Sequence, residues 1–142
     1  LMLLKNKTKN RITIHRDYGE LPEIDCLIGK LNQVFMNILT NAIQSIPDKG
    51  NIYIKTKHSK NHVSISIKDN GTGMSPETKN RIFEPFFTTK EVGKGTGLGL
   101  SISFGIIEKH NGSIKVNSEL NAGSEFIITL PVKQNQKDTN YN

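Results

Sequence analysis

Cys26 is the only cysteine among 142 residues, which excludes an internal disulfide and suits a reducing compartment. It lies in an apolar stretch between Ile24 and Ile28 and is expected to be a buried, inert thiol. No apolar run approaches the ~20 residues that a membrane span requires. The opening Leu1-Met2-Leu3-Leu4-Lys5 is too short for the apolar region of a secretory signal. It reads as the end of a helix whose earlier turns lie outside this sequence. Aromatics make up 6% of the chain, and no lysine cluster is interleaved with them. The net charge of +6 therefore lacks the pattern of a nucleic-acid-binding face. Contact with neither nucleic acid nor membrane is expected of this domain. Internal repeats and low-complexity blocks are also absent.

What remains is an ordinary globular composition, 35% apolar and 23% charged, in a chain long enough for one domain with a full core. Residues 1–10 are rich in lysine and asparagine and read as a linker. Residues 11–16 alternate apolar and polar side chains, as a half-buried strand does. Residues 17–22 are turn material, and a short strand is expected over 23–27. Leu31, Val34, Phe35, Ile38, Leu39, Ala42, Ile43 and Ile46 recur at helical spacing and predict a helix over 30–46. Pro47 stops it. Strands follow over 52–57 and 63–68, then a turn at Asn70-Gly71-Thr72-Gly73. Ser75-Pro76 opens a short helix as N-cap and first helical residue. Residues 87–97 read as a mobile loop. A helix runs from about 98 to 110 and ends at Asn111-Gly112. Strands over 113–118 and 125–131 are joined by Asn121-Ala122-Gly123, and residues 133–142 form a polar tail expected to be disordered. Helices are too few for one to follow each strand. The order predicts an α/β sandwich with a mixed sheet and helices on one face, not a doubly wound parallel sheet.

Three sets of residues carry chemistry. Asn37 and Asn41 lie one turn apart, with Gln33, Thr40 and Gln44 on the same side of their helix. An amide offers a neutral oxygen to a hard cation and a donor to a phosphate. On their own the asparagines fit a plain solvated face better. The second set is Asp69-Asn70-Gly71-Thr72-Gly73-Met74. Asp69 ends the apolar row of Val63, Ile65 and Ile67, and a carboxylate there needs a partner; the exocyclic amine of a base would serve. Gly71 and Gly73 would let a flat ligand approach the backbone, although Asp-Asn-Gly turns are also common at surfaces.

The third set is Gly93-Lys94-Gly95-Thr96-Gly97-Leu98-Gly99-Leu100-Ser101, a glycine run opening a helix. Free N–H groups at a helix start favour phosphate, and Lys90 and Lys94 add charge. Spacing excludes two familiar motifs. A G-x-G-x-x-G frame from Gly95 and Gly97 puts Leu100 at the last glycine, and the phosphate-loop pattern fails because Gly95 follows Lys94. Between the second and third sets lies Ile82-Phe83-Glu84-Pro85-Phe86-Phe87-Thr88-Thr89-Lys90. Its aromatics fit hinge packing for a lid better than a ligand box.

In this order and spacing the segments resemble the catalytic domain of sensor histidine kinases, within the superfamily that includes gyrase and the heat-shock chaperone. The likeness runs from about residue 11 to 132. Residues 31–42 look like the asparagine box, 69–73 the first glycine box, 83–86 the phenylalanine box and 95–99 the second glycine box. The resemblance implies a Bergerat (GHKL-type) sandwich: a mixed, mostly antiparallel sheet with three helices on one face. It implies ATP and Mg²⁺ as cofactors. Asp69 would bond the adenine amino group, with Gly71, Gly73 and Met74 beside the base. Asn41 would be the metal ligand, and Asn37 would sit near the phosphates. Lys94, Gly95, Thr96, Gly97, Leu98, Gly99 and Leu100 would frame the triphosphate under a lid of residues 87–97. Lys90 would contact the γ-phosphate. Asn37 and Lys90 are the candidate catalytic residues.

Two departures bear on activity. Hydrolytic relatives carry a glutamate four residues before the metal asparagine, where this chain has Asn37, which cannot act as a base. Transfer to a protein side chain is thereby favoured over hydrolysis. Gln44 stands where many histidine kinases have lysine or arginine, which removes one phosphate contact. His15, His58, His62 and His110 are not in the setting of an acceptor histidine, so the acceptor is expected upstream. The implied partners are an acceptor/dimerisation domain of the same full-length protein and the receiver domain of a response regulator. The implied location is cytoplasmic, with membrane anchorage of the full-length protein left open. Expected of this chain alone is binding of Mg-ATP without autophosphorylation. A weak ATPase, a non-catalytic nucleotide switch and a serine kinase of the anti-sigma type are the alternatives.

Overall fold

The computed structural model describes residues 11–18, 28–87 and 99–132. Within them run strand β1 (Ile12–Tyr18), helix α1 (Ile28–Ser45), strands β2 (Gly50–His58) and β3 (His62–Asp69), and the short helix α2 (Pro76–Arg81). Helix α3 (Gly99–Lys109) and strands β4 (Ser113–Ser118) and β5 (Ser124–Pro131) complete the order. The strand expected over 23–27, Cys26, the linker and the tail lie outside the described residues.

The five strands form one sheet in the order β1-β2-β3-β5-β4. β1 pairs in parallel with β2, Ile12 opposite Gly50 through Tyr18 opposite Thr56. A parallel pair needs a crossover, and α1 lies between the two strands in sequence. The other three pairings are antiparallel, so the sheet is mixed and mostly antiparallel, as expected.

Register then decides which face is buried. Ile54 stands opposite Ile67, Ile67 opposite Phe126, and Ile65 opposite Ile128, which in turn faces Ile114. Side chains alternate along each strand, so these residues share one face. They join Leu31, Val34, Ile38, Leu39, Ala42, Ile43 and Ile46 of α1 in a single core. The opposite face carries Tyr53, Lys55, Lys57, Lys68 and Lys115, all exposed, as a half-covered antiparallel sheet allows. α1 and α3 pack against each other over the buried face. α2 buries no side chain, because its sequence, Pro-Glu-Thr-Lys-Asn-Arg, has no apolar stripe. Among the three described helices, α1 and α3 thus supply the packed layer.

The local signals act as read. Ser75 caps α2 by accepting from the Thr78 N–H at 3.2 Å, with Pro76 at the first position. α3 ends in a paired cap: Gly112 N–H donates to Ile107 O at 3.0 Å and Asn111 N–H to Glu108 O at 2.9 Å. The left-handed residue is Asn111 (φ 60°), not Gly112. Gly112 is glycine for a different reason: a Cβ there would run into the Thr129 carbonyl and stand 2.9 Å from Leu130.

Candidate functional site

Asp69 ends β3 directly opposite Ile52 of β2 and Ser124 of β5. The alternation that buries Ile67 also turns Asp69 inward, and it is 1% exposed. Burial raises its carboxyl above the ordinary range, while hydrogen bonds from the Gly71 backbone, the Ser45 side chain and the Ser124 backbone pull it down. The Gly71 N–H reaches Oδ1 at 2.9 Å. The Ser45 hydroxyl is shared with the Ala42 carbonyl at 2.8 Å. A carboxylate accepts at both oxygens, about four positions in all, and the Gly71 N–H occupies one of those on Oδ1. Sequence alone pointed to Asp69 but not to Ser45 or Ser124, which become its neighbours only through the strand register and the last turn of α1.

The Asn70–Gly73 turn is held on both sides by protein. Thr72 N–H donates to Ser45 O at 3.0 Å, and the Asn121 N–H donates to Thr72 O at 2.7 Å. Met74 N–H donates to the Ser118 hydroxyl at 2.8 Å. That hydroxyl lies 3.0 Å from Gly123 O and 2.8 Å from the Ser124 hydroxyl. A Cβ on Gly71 would stand 2.5 Å from both Ser45 O and Ser45 Oγ. Gly73 (φ 69°) abuts the Glu119 carbonyl. The close approaches that require glycine here are therefore made by α1 and by the β4–β5 turn. Both glycines thus have a packing reason beside the ligand-approach and surface-turn readings.

Asn37 and Asn41 are half-buried on α1, one turn apart. Asn37 Nδ2 donates to Gly99 O and to Ser103 Oγ, both at 3.1 Å. Ser103 is fully buried, and its hydroxyl also reaches Gly99 O at 2.8 Å. Asn37 therefore fastens α1 to the first turn of α3, where the glycine run ends. Gly99 lies in ordinary contact with Asn37 (3.7 Å from a Cβ to Cγ), and Leu100 packs against the core. Ser103 was missed in the sequence; its spacing of four from Gly99 on a helix was the available signal. Gln44, the fifth polar side chain of this group, is exposed. Lys90, Lys94, Gly95, Thr96, Gly97 and Leu98 lie outside the described residues.

The aromatic segment divides. Phe83 and Phe87 pack against the core. Phe83 stacks at a tilt on Phe104 of α3 (5.2 Å between centroids), and Arg81 lies 4.5 Å over the Phe87 ring. Phe86, with φ 68°, is 73% exposed. Packing explains Phe83 and Phe87 but not Phe86. The histidines take the bland roles expected: His15 Nε2 lies 2.9 Å from Asn51 Oδ1 and stacks on Tyr53, and buried His110 bonds Ile106 O at 2.8 Å. His58 and His62 are exposed at strand ends.

Among the described residues, the last turn of α1 thus meets Asp69 and the Gly71–Thr72 backbone, and Asn37 of the same helix meets the start of α3. The family model described as histidine kinase-, DNA gyrase B-, and HSP90-like ATPase matches residues 27–134, and the chain belongs to that family. Within it, the similarity is to kinases. Sporulation kinase E of Bacillus subtilis (strain 168) is 51% identical over 120 residues, covering 84% of this chain and 16% of that protein. The catalytic domain of histidine kinase ThkA, in a nucleotide-free form, superposes with a TM-score of 0.81 at 32% identity, covering 93% of this chain and 88% of that one. Full-length ShkA in complex with AMPPNP gives a TM-score of 0.82 at 28% identity, covering 94% of this chain and 28% of that one. The chain is homologous to the ATP-binding catalytic domains of sensor histidine kinases and spans only a small part of the curated relative's length.

Proposed function

We propose that this chain is the ATP-binding catalytic domain of a two-component sensor histidine kinase. It donates the ATP γ-phosphoryl group to a histidine on a separate dimerisation/acceptor domain, from which a response-regulator receiver takes it. Residues 11–132 form the domain, 1–10 the remnant of a linker or acceptor-domain helix, and 133–142 a polar tail. No described helix is long and apolar enough to cross a membrane, and the proposal places the domain in the cytoplasm, where ATP is available.

The observation that carries the proposal is Asp69, a carboxyl 1% exposed that ends the buried row of β3 and accepts from the Gly71 N–H. An exocyclic amine on a purine would donate to such a carboxylate, whereas a carbonyl at the same place would meet repulsion. The residues also suit Mg²⁺. Among the described residues no cluster of three histidine, cysteine or acidic side chains exists. The ion would be held by the Asn41 amide oxygen together with phosphate oxygens, a donor set that Mg²⁺ accepts. Bound there, the ion would neutralise charge on the transferring phosphoryl group. The chain's own residues do the rest. Asp69 fixes the base, the Gly71–Met74 turn walls it, and Asn37 holds the start of α3 against α1. Lys90 and Lys94 add positive charge beside the phosphates, and the backbone of residues 95–100 supplies amides to them. Asn37 has no proton-accepting carboxylate, which supports transfer to a side chain over activation of water.

The test is calorimetric titration of ATP, with and without Mg²⁺, into the wild-type chain and Asp69→Ala. Loss of this hydrogen bond is expected to weaken binding by about 1–3 kcal/mol. Unchanged affinity in Asp69→Ala would remove the adenine-pocket assignment.

A further inference from the structure

Arg11 directly precedes β1, more than thirty residues in sequence from the end of α1. Its guanidinium meets the C-terminal end of α1. Nη1 donates to Ile46 O at 2.5 Å and to Asp48 O at 3.0 Å, and Nη2 to Ile43 O at 3.3 Å. The need is local. The last carbonyls of a helix lack intrahelical donors, α1 has no basic residue in its last turn, and Pro47 brings no N–H to close the end. A cation at a helix C-terminus also matches the helix dipole. The Arg11 carbonyl is fixed as well, accepting from Gly50 N–H at 3.0 Å.

The turn that Arg11 grips is the one that builds the base pocket. Ile43 and Ile46 flank Ser45. Ser45 O accepts from Thr72 N–H, Ser45 Oγ is shared with Asp69, and Gly71 closes against both oxygens. One side of this single helical turn faces Arg11 and the other faces Asp69 and the glycine turn. We propose that Arg11 is a positioning residue for adenine recognition: by clamping the last turn of α1 it sets where Ser45 holds the Asp69 carboxylate and the Gly71–Thr72 backbone. This rests on the assignment of Asp69 as the base anchor, and it adds a residue outside all four sequence boxes to that site. Three carbonyls converging on one planar fork suit arginine, whereas a lysine ammonium reaches fewer of them.

The test uses Arg11→Met, which keeps the apolar stem, and Arg11→Lys, which keeps the charge. Val63→Ala serves as control, since Val63 is buried at the opposite end of β3 from Asp69 and belongs to no part of this turn. In ¹⁵N-labelled, nucleotide-free protein, Arg11→Met is expected to shift the Gly71 and Thr72 amide signals and to speed Thr72 amide exchange at least fivefold. Arg11→Lys falls between, and Val63→Ala leaves these signals in place while lowering the melting temperature. With nucleotide, Arg11→Met is expected to lose at least fivefold in ATP affinity and less for ITP, which lacks the exocyclic amine. The ATP preference therefore shrinks. Should Arg11→Met fail to fold, the Arg11→Lys amide signals decide. The proposal is overturned if the Gly71 and Thr72 amides keep wild-type shifts and exchange in the Arg11 variants, or if Val63→Ala moves them equally. Absence of ATP binding by the wild type would refute the kinase reading instead, and the nucleotide-free amide measurement would still decide the role of Arg11.

Discussion

Gly71→Ala separates two reasons for a glycine beside the proposed base site. Gly71 does not adopt the left-handed conformation, so the added methyl brings no backbone strain of its own. It would, however, stand 2.5 Å from Ser45 O and Ser45 Oγ and 2.8 Å from the Ser45 carbonyl carbon. Those are helix backbone and a hydroxyl that already donates to the Ala42 carbonyl, so the turn must move away from α1. Overpacking of this kind costs about 1–3 kcal/mol. The displacement also weakens Thr72 N–H to Ser45 O and Gly71 N–H to Asp69 Oδ1, at about 1 kcal/mol each. A loss of about 3–5 kcal/mol lowers the melting temperature by about 10–20 °C in a domain of this size. Thermal and urea unfolding of nucleotide-free protein measure it directly. The reasoning is refuted if Gly71→Ala melts with the wild type while its ATP affinity collapses. That pattern would mean that only a ligand needs the space.

Other substitutions probe the remaining joints. Asn37→Ala removes both ties from α1 to the first turn of α3, and chemical unfolding is expected to show a loss of about 1–3 kcal/mol. A steady phosphate release from ATP that Asn37→Ala abolishes would instead support an ATPase. Asn111→Ala forces a Cβ-branched-free but non-glycine residue without a helpful side chain into φ 60°; it should cost about 1 kcal/mol, read from the urea midpoint. The Asp69 carboxyl is raised by burial, so the folded chain holds its proton to higher pH than the unfolded chain. Its stabilising contribution is complete below the unfolded value, 3.8, and is lost as pH rises through the elevated folded value. Relative to Asp69→Asn, the wild type should therefore lose stability across that window. A parallel pH profile for the two proteins would show that Asp69 is not desolvated in the free domain.

Much of this architecture was legible before any coordinates. The apolar stripe from Leu31 to Ile46 fixed α1, and alternation in β2 and β3 fixed which face of the sheet is buried. It also turned Asp69 inward. Pro47, Ser75 and Asn111 marked ends because each acts on the backbone within a residue or two. What was not legible depends on long-range placement. Ser45 and Ser124 meet Asp69 only through the helix position and the β3–β5 register. Arg11 meets α1 across more than thirty residues of sequence. Gly71 and Gly112 look alike as turn glycines, and only their neighbours show that one is closed by a helix carbonyl and the other by β5. The α2 segment carries correct start signals, but without an apolar stripe it adds nothing to the core.

The central claim is that a buried carboxylate selects the purine by its amine. It is tested most directly by comparing ATP with ITP, whose base presents an oxygen where adenine presents the amine, in calorimetric titrations at matched Mg²⁺. If the Asp69 carboxylate accepts from the amine, ATP should bind on the order of 10–100-fold more tightly, the equivalent of about 1–3 kcal/mol. Equal dissociation constants for the two nucleotides would contradict it.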